Sequence, residues 1–118
     1  MMAIGDGFAV ICAEAIPDPA RRAAVREELG REGGEVIEID AAEMNGFAGN
    51  LLALSAHDGA PIVALSGAAL AALAPEKRRR LERHGTLVAV DIPTIERLGG
   101  GSVRCMLAEI FLPRVPRR

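Results

Sequence analysis

The chain has 118 residues, half of them apolar, with 14 Lys and Arg against 16 Asp and Glu for a net charge of −2. That is one domain's length with enough apolar surface for a core, and a quarter of charged residues excludes a disordered or membrane-spanning chain. The charge balance excludes a globally basic nucleic-acid binder, and three Phe with no Trp or Tyr leave no aromatic platform for stacked bases or sugars.

The segment Met1 to Ala15 is apolar but has no basic flank and carries Asp6 and Glu14, so it is read as folded structure and not as a signal peptide. Met1 to Ile4, the turn Asp6-Gly7 and the apolar run Phe8 to Ala13 predict a hairpin whose second strand is buried on both faces. Asp18-Pro19 opens a helix, with Asp as N-cap and Pro at the first helical position. Ala20, Ala23, Ala24 and Leu29 give it a small-residue packing stripe, and Gly30 or Gly33-Gly34 ends it. Val36 to Ile39 follows as a strand.

The plan then repeats. Leu51 to Leu54 and Ile62 to Leu65 are strands joined through the turn His57-Asp58-Gly59. Ala68 to Leu73 is helical, Pro75 restarts a helix that ends at His84-Gly85, and Leu87 to Val90 closes the unit. Strand-strand-helix-strand thus occurs twice, in units of about 1–46 and 47–98, with a final strand expected from 103 to 112. A glycine-bearing turn follows each unit, Glu43 to Asn50 in one case and Glu96 to Cys105 in the other, so Asn50 and Cys105 are counterparts. Such repetition marks modules that bury their faces against neighbours, as propeller blades do.

Cys105 is the main candidate for chemistry. It follows Gly99-Gly100-Gly101, which allow close backbone approach to a ligand, and a thiol there acts as a nucleophile if its pKa is lowered. The alternative is a small hydrophobe buried behind a loop. On a strand, Arg104 and Met106 would share one face and Cys105, Leu107 and Glu109 the other. Cys12, inside an apolar strand, reads as structural. With no C-x-x-C and no metal spacing, a disulfide framework and a metal centre are both unexpected, and a reducing cytoplasm fits. His57 and His84 read as solvent-facing. Lys77 to Arg80, interleaved with Glu76 and Glu82, reads as a solvated helix face. Asp40 and Asp91 end equivalent strands as ligand-binding carboxylates or as caps. Arg114 to Arg118, with Pro113 and Pro116, read as a frayed tail.

Leu98-Gly99-Gly100-Gly101-Ser102-Val103-Arg104-Cys105-Met106 resembles the nucleophile motif of the arginine deiminase and amidinotransferase superfamily, in which a Gly-rich turn runs into Arg-Cys-Met. Val90 to Arg97, Ile110 to Pro113, and Met44 to Asn50 resemble its citrulline-hydrolase branch, often labelled simply amidinotransferase. The resemblance implies an α/β-propeller, or pentein, fold of five strand-strand-helix-strand blades. This chain would supply two of them and the extra C-terminal strand. It implies that Cys105 attacks the planar carbon of a guanidino or ureido substrate, arginine- or citrulline-like, near Gly99, Gly100, Gly101 and Asn50, with no metal or organic cofactor. It also implies a histidine that protonates the leaving nitrogen, in a His-Thr-Asn-Val-like segment just before the strand matching Met1 to Ile4. Neither His57 nor His84 matches that segment. The expectation is therefore the C-terminal, nucleophile-bearing part of a C–N hydrolase or amidinotransferase, inactive as the isolated chain and self-associating through open strand edges. The other expectation is a non-catalytic remnant that self-associates or binds a small molecule or partner chain.

Overall fold

A computed structural model describes residues 1–31 and 34–112. Gly33, one of the expected helix stops, and the tail Pro113 to Arg118 lie outside the described residues.

The chain runs β1 (Met2–Gly5), β2 (Phe8–Ile11), α1 (Pro19–Arg31), β3 (Glu35–Glu38), α2 (Ala41–Asn45), β4 (Leu52–Ser55), β5 (Pro61–Ser66), α3 (Gly67–Ala72), α4 (Pro75–Glu82), β6 (Thr86–Val90), α5 (Pro93–Gly99) and α6 (Val103–Met106), with a 3-10 turn at Ala13–Ala15. Two mixed three-stranded sheets result, in the orders β1-β2-β3 and β4-β5-β6. In each, the first two strands pair antiparallel through a tight turn and the third returns parallel after a helical crossover. The repeated strand-strand-helix-strand unit is therefore present twice.

The turns follow from their residues. Gly7 and Gly59 take positive φ of 74° and 86°, open to glycine at no steric cost. Asp18 accepts from the backbone N–H of Ala20 at 2.8 Å and of Arg21 at 3.2 Å, so the N-cap and first-turn proline of α1 form as expected. α1 runs through Gly30 to Arg31. Its alanine stripe does not pack: no residue of α1 is buried, and Ala20, Ala23 and Ala24 face out. Methyl groups bury too little area to hold a helix face down alone. Half-buried Arg22, Val25 and Leu29 make the inner face instead, and Arg22 donates twice to the Ile16 carbonyl.

β2 is buried at all four positions, as its apolar run predicts. β1 and β4 are neighbours, and one core runs through both units: Phe8, Val10, Cys12 and Ile37 from the first, Leu51, Val63, Leu65, Leu73 and Leu81 from the second. β6 is an edge strand, and its Val88 and Val90 are exposed.

The expected strand from 103 to 112 does not form. Residues 103–106 make the short helix α6, which packs on β5, and 107–112 run exposed without joining a sheet. The backbone N–H of Arg104, which a ladder would need, goes to the Asn50 side chain at 2.9 Å. Cys105 N–H closes a local turn on the Ser102 carbonyl at 3.0 Å. Side-chain capture of backbone donors competes directly with sheet pairing. The face alternation expected of a strand around Cys105 is lost with it.

The basic run of α4 is a clasp and not a solvated face. Lys77 Nζ lies 2.5 Å from Glu43 Oε2, and the Ala74 N–H donates to Glu43 Oε1 at 3.0 Å. Arg80 donates to Glu35 at 2.6 Å and to the Val36 carbonyl at 2.9 Å. Arg83 reaches the same Glu35 oxygen at 2.7 Å. Arg78 donates to the Leu70 carbonyl at 2.6 Å, so among Lys77 to Arg80 only Arg79 is exposed. His84 is not solvent-facing: its Nε2 donates to Glu35 at 2.7 Å and its ring packs on Phe8 with centroids 4.8 Å apart. The helix sets Lys77 and Arg80 one turn apart on one face, and the turn after it brings in His84, so together they reach two carboxylates of the first unit.

Partial burial pushes the Glu35 carboxyl up, but hydrogen bonds from Arg80 and His84 and the charges of Arg80 and Arg83 outweigh it and bring its pKa to about 2. Burial of Glu43 is likewise outweighed by donation from Lys77, Ala74 and Asp40. A carboxyl held below its unfolded value stabilises the fold above that value and loses the effect as pH falls toward the folded one. Glu35→Gln is therefore expected to destabilise the protein by about 1–3 kcal/mol at neutral pH. Its melting curve should converge with that of the parent as pH falls from about 4.5 to about 2. Thermal melts of both proteins across that range check this.

Candidate active site

Two turns build the site. The first follows β3. Asp40 caps α2 by accepting from the Glu43 N–H at 2.8 Å, and the Glu43 side chain accepts from the Asp40 N–H at 2.9 Å, a reciprocal capping box. Asp40 is thus a cap. Beyond α2 the chain turns through Phe47, a non-glycine residue at φ 68°, a conformation of order 1 kcal/mol above the usual wells. Ala48 N–H returns to the Glu43 carbonyl at 3.0 Å. A Cβ at Gly49 would meet the backbone of Met1 at 3.2 Å, so glycine eases this close approach. Asn50 emerges half-buried, its N–H on the Phe47 carbonyl at 2.8 Å.

The second turn follows β6. Asp91 is exposed at the end of β6 and is not a cap of α5; its carboxylate lies over Gly67, where a Cβ would sit 2.4 Å from Oδ1. Pro93 starts α5, Gly99 ends it, and Gly100 at φ 67° is its left-handed C-cap, with its N–H on the Glu96 carbonyl at 3.1 Å. Gly101 passes beside the cysteine: a Cβ there would stand 3.1 Å from Cys105 Cβ and 3.2 Å from its Sγ. Each of the three glycines thus has a defined place, as helix end, cap and close approach.

Ser102 is fully buried and donates its hydroxyl to Glu96 Oε1 at 2.7 Å. This bond ties the glycine turn to α5, and nothing in the residue spacing pointed to it; a buried Glu is found only through its partner. Asp40 and Glu43 in the first turn correspond to Asp91 and Glu96 in the second, and both glutamates are buried.

Cys105 is exposed and Cys12 is buried, both unpaired. The alternative of a buried hydrophobe is thereby excluded for Cys105 and holds for Cys12. Asn50 Nδ2 lies 3.0 Å from Cys105 Sγ, so the two counterparts of the internal repeat are in contact. The Asn50 hydrogen bond, a backbone hydrogen bond from Ser102 and the charge of Arg104 hold the thiol below its ordinary value against slight desolvation. An open groove of about 620 Å³ between the two units is lined by Ile4, Leu54, Ile62, His84, Arg104 and Glu109 among others; Cys105, Asn50 and the three glycines do not line it. His57 is exposed in the β4–β5 turn. Neither histidine bonds to the thiol: His84 Nε2 is committed to Glu35. Among the described residues no group of three or more His, Cys, Asp or Glu is placed to hold a metal, and no helix is long and apolar enough to cross a membrane.

The match to a family model places the chain in the guanidino-modifying class of pentein proteins. Within it, the chain belongs to the dimethylarginine dimethylhydrolase family, since the family model described as N,N dimethylarginine dimethylhydrolase, eukaryotic, matches residues 1–112. No curated protein and no solved structure matches the chain significantly.

Ser102→Ala removes the one hydroxyl on Glu96 and leaves a buried carboxylate short of a donor. The expected cost is about 1–3 kcal/mol in chemical denaturation. Gly101→Ala should cost less stability but displace the sulfur, read as a changed alkylation rate at Cys105 with the melting temperature nearly kept.

Proposed function

We propose that this chain is the nucleophile-bearing, two-blade C-terminal part of a pentein-type C–N hydrolase, and that Cys105 is the nucleophile. The observation that carries the reading is the exposed Cys105 thiol, met by the Asn50 amide after the glycine turn, in a chain matched by the family over residues 1–112. The substrate class is a guanidino compound, and the family's name points to N,N-dimethylarginine.

In the reaction, Cys105 Sγ adds to the guanidino carbon and forms a C–S bond. The dimethylated nitrogen takes a proton from a general acid and leaves as dimethylamine, breaking the C–N bond. Water then adds to the thiouronium carbon, the C–S bond breaks, and the thiolate returns with a ureido product. Transfer to an amine in place of water would make the same chemistry an amidinotransfer. Every step uses acid–base and nucleophilic chemistry, so no redox cofactor enters. Gly99 to Gly101 form the turn beside the reacting sulfur.

The proton donor is the part this chain does not supply. A positioned general acid contributes about 10²–10⁴-fold, and His84 is bound to Glu35 while His57 sits in an exposed turn. The 118-residue chain by itself is therefore expected to release no detectable dimethylamine from N,N-dimethylarginine and to leave arginine and citrulline unchanged. Turnover that Cys105→Ala abolishes would overturn this and assign the acid to this chain or to a second copy. Independently, iodoacetamide at neutral pH should label Cys105 and spare Cys12, as read by peptide mass spectrometry. Equal labelling would remove the case for an activated nucleophile.

We infer also that the chain self-associates. Edge strand β6 exposes Val88 and Val90, and Leu98, Ile110, Phe111 and Leu112 are each more than three-quarters exposed. Unpaired edges with apolar neighbours recruit a second copy. Sedimentation at tens of micromolar, roughly where weak interfaces form, should show species larger than monomer. Two unpaired cysteines fit a reducing, cytoplasmic setting.

A further inference from the structure

The Asn50 side chain is engaged at both ends. Its Oδ1 accepts the Arg104 N–H at 2.9 Å and its Nδ2 lies 3.0 Å from Cys105 Sγ. The two contacts are not interchangeable. A backbone N–H only donates, so it selects the oxygen end of the amide and turns the NH₂ end toward the sulfur. The reverse orientation would set N–H against N–H and oxygen against sulfur. The residue next to the cysteine thus decides which end of the amide the cysteine meets.

The amide itself is held from behind. Asn50 follows the strained turn at Phe47 and the close approach of Gly49 to Met1, and its own N–H is bound to the Phe47 carbonyl. It comes from a turn 55 residues before the cysteine, so the contact is long-range. On the opposite side the cysteine is fixed by Gly101 and by its N–H bond to Ser102, which Glu96 anchors.

We propose that Asn50 is the positioning residue of the nucleophile: its amide, oriented by the Arg104 N–H, donates to Cys105 Sγ and holds the sulfur in one rotamer. This rests on the reading of Cys105 as nucleophile and adds a role to Asn50 that substrate contact would not give it. A hydrogen bond to the anion favours the charged form. The gain in thiolate exceeds the loss in intrinsic nucleophilicity, because reactivity falls with only about half the slope of the acidity change.

The test is the pH profile of Cys105 alkylation by iodoacetamide in the full chain, for the parent, Asn50→Ala and Asn50→Asp. Asn50→Asp keeps the shape and the acceptor for Arg104 N–H but turns an oxygen toward the sulfur. A merely structural anchor survives that change; a donor to the thiolate does not. The midpoint is expected to rise by about one pH unit in Asn50→Ala and by more in Asn50→Asp. At pH well below both midpoints, a one-unit rise lowers the thiolate fraction about tenfold and slows alkylation about threefold after the nucleophilicity gain. Buried Cys12 reports unfolding, since it labels only in an opened chain. If Asn50→Ala opens, the isosteric Asn50→Asp still decides the matter. A low parent midpoint that neither substitution moves would overturn the role of Asn50 and leave the nucleophile in place. A parent midpoint at the ordinary thiol value would overturn both.

Discussion

A carboxylate removed from water must find donors, and three glutamates impose that constraint on this molecule. Glu43 and Glu96 are buried and Glu35 is mostly shielded. An unpaired charge in such positions would cost several kcal/mol. Each is answered by groups far off in sequence or across a turn: Glu35 by Arg80, Arg83 and His84, Glu43 by Lys77 and Ala74, Glu96 by Ser102. The first two pairings fix α4 against β3 and α2, and so fix one unit against the other. The third fixes the glycine turn on α5.

The site inherits its geometry from these pairings. Glu43 orients α2 and, through its carbonyl, the turn that delivers Asn50. Glu96 holds Ser102, whose carbonyl receives the Cys105 N–H. The equivalent glutamates of the two repeats thus set the two halves of one contact, amide and thiol. The shared pattern of the two turns is more than a trace of repetition, since each half is built the same way and then carries a different terminal residue. His84 shows the opposite allocation: its ring serves the joint between units and is unavailable to the thiol.

Most of the strand and helix order was readable from local signals. Apolar runs bounded by Asp-Gly or His-Asp-Gly turns located β1, β2, β4 and β5, and Asp18-Pro19 and Pro75 located the helix starts. The order of elements then followed from the repeat. What failed depended on distant partners. Val103 to Leu112 carries a strand's composition, yet Arg104 N–H is taken by a side chain 54 residues away. Lys77 to Arg80 has a surface helix's composition, yet its cations meet Glu35 and Glu43. The α1 alanines looked like a packing face, but Ala20, Ala23 and Ala24 are exposed. Cys105 stands out as a candidate because glycine turn, Arg-Cys-Met and flank occur together. Asn50 was legible as its repeat counterpart and from the resemblance of Met44 to Asn50, but not as its direct contact, and the bond between Glu96 and Ser102 was not legible at all.

The account turns on whether Cys105 is a thiolate where an ordinary cysteine is a thiol. Ultraviolet titration of thiolate absorbance measures this directly, with Cys105→Ser subtracted to isolate one sulfur. The account predicts a Cys105-dependent transition clearly below the free-cysteine value of about 8.5. A transition at or above that value would contradict it, and with it the assignment of this turn as the seat of the chemistry.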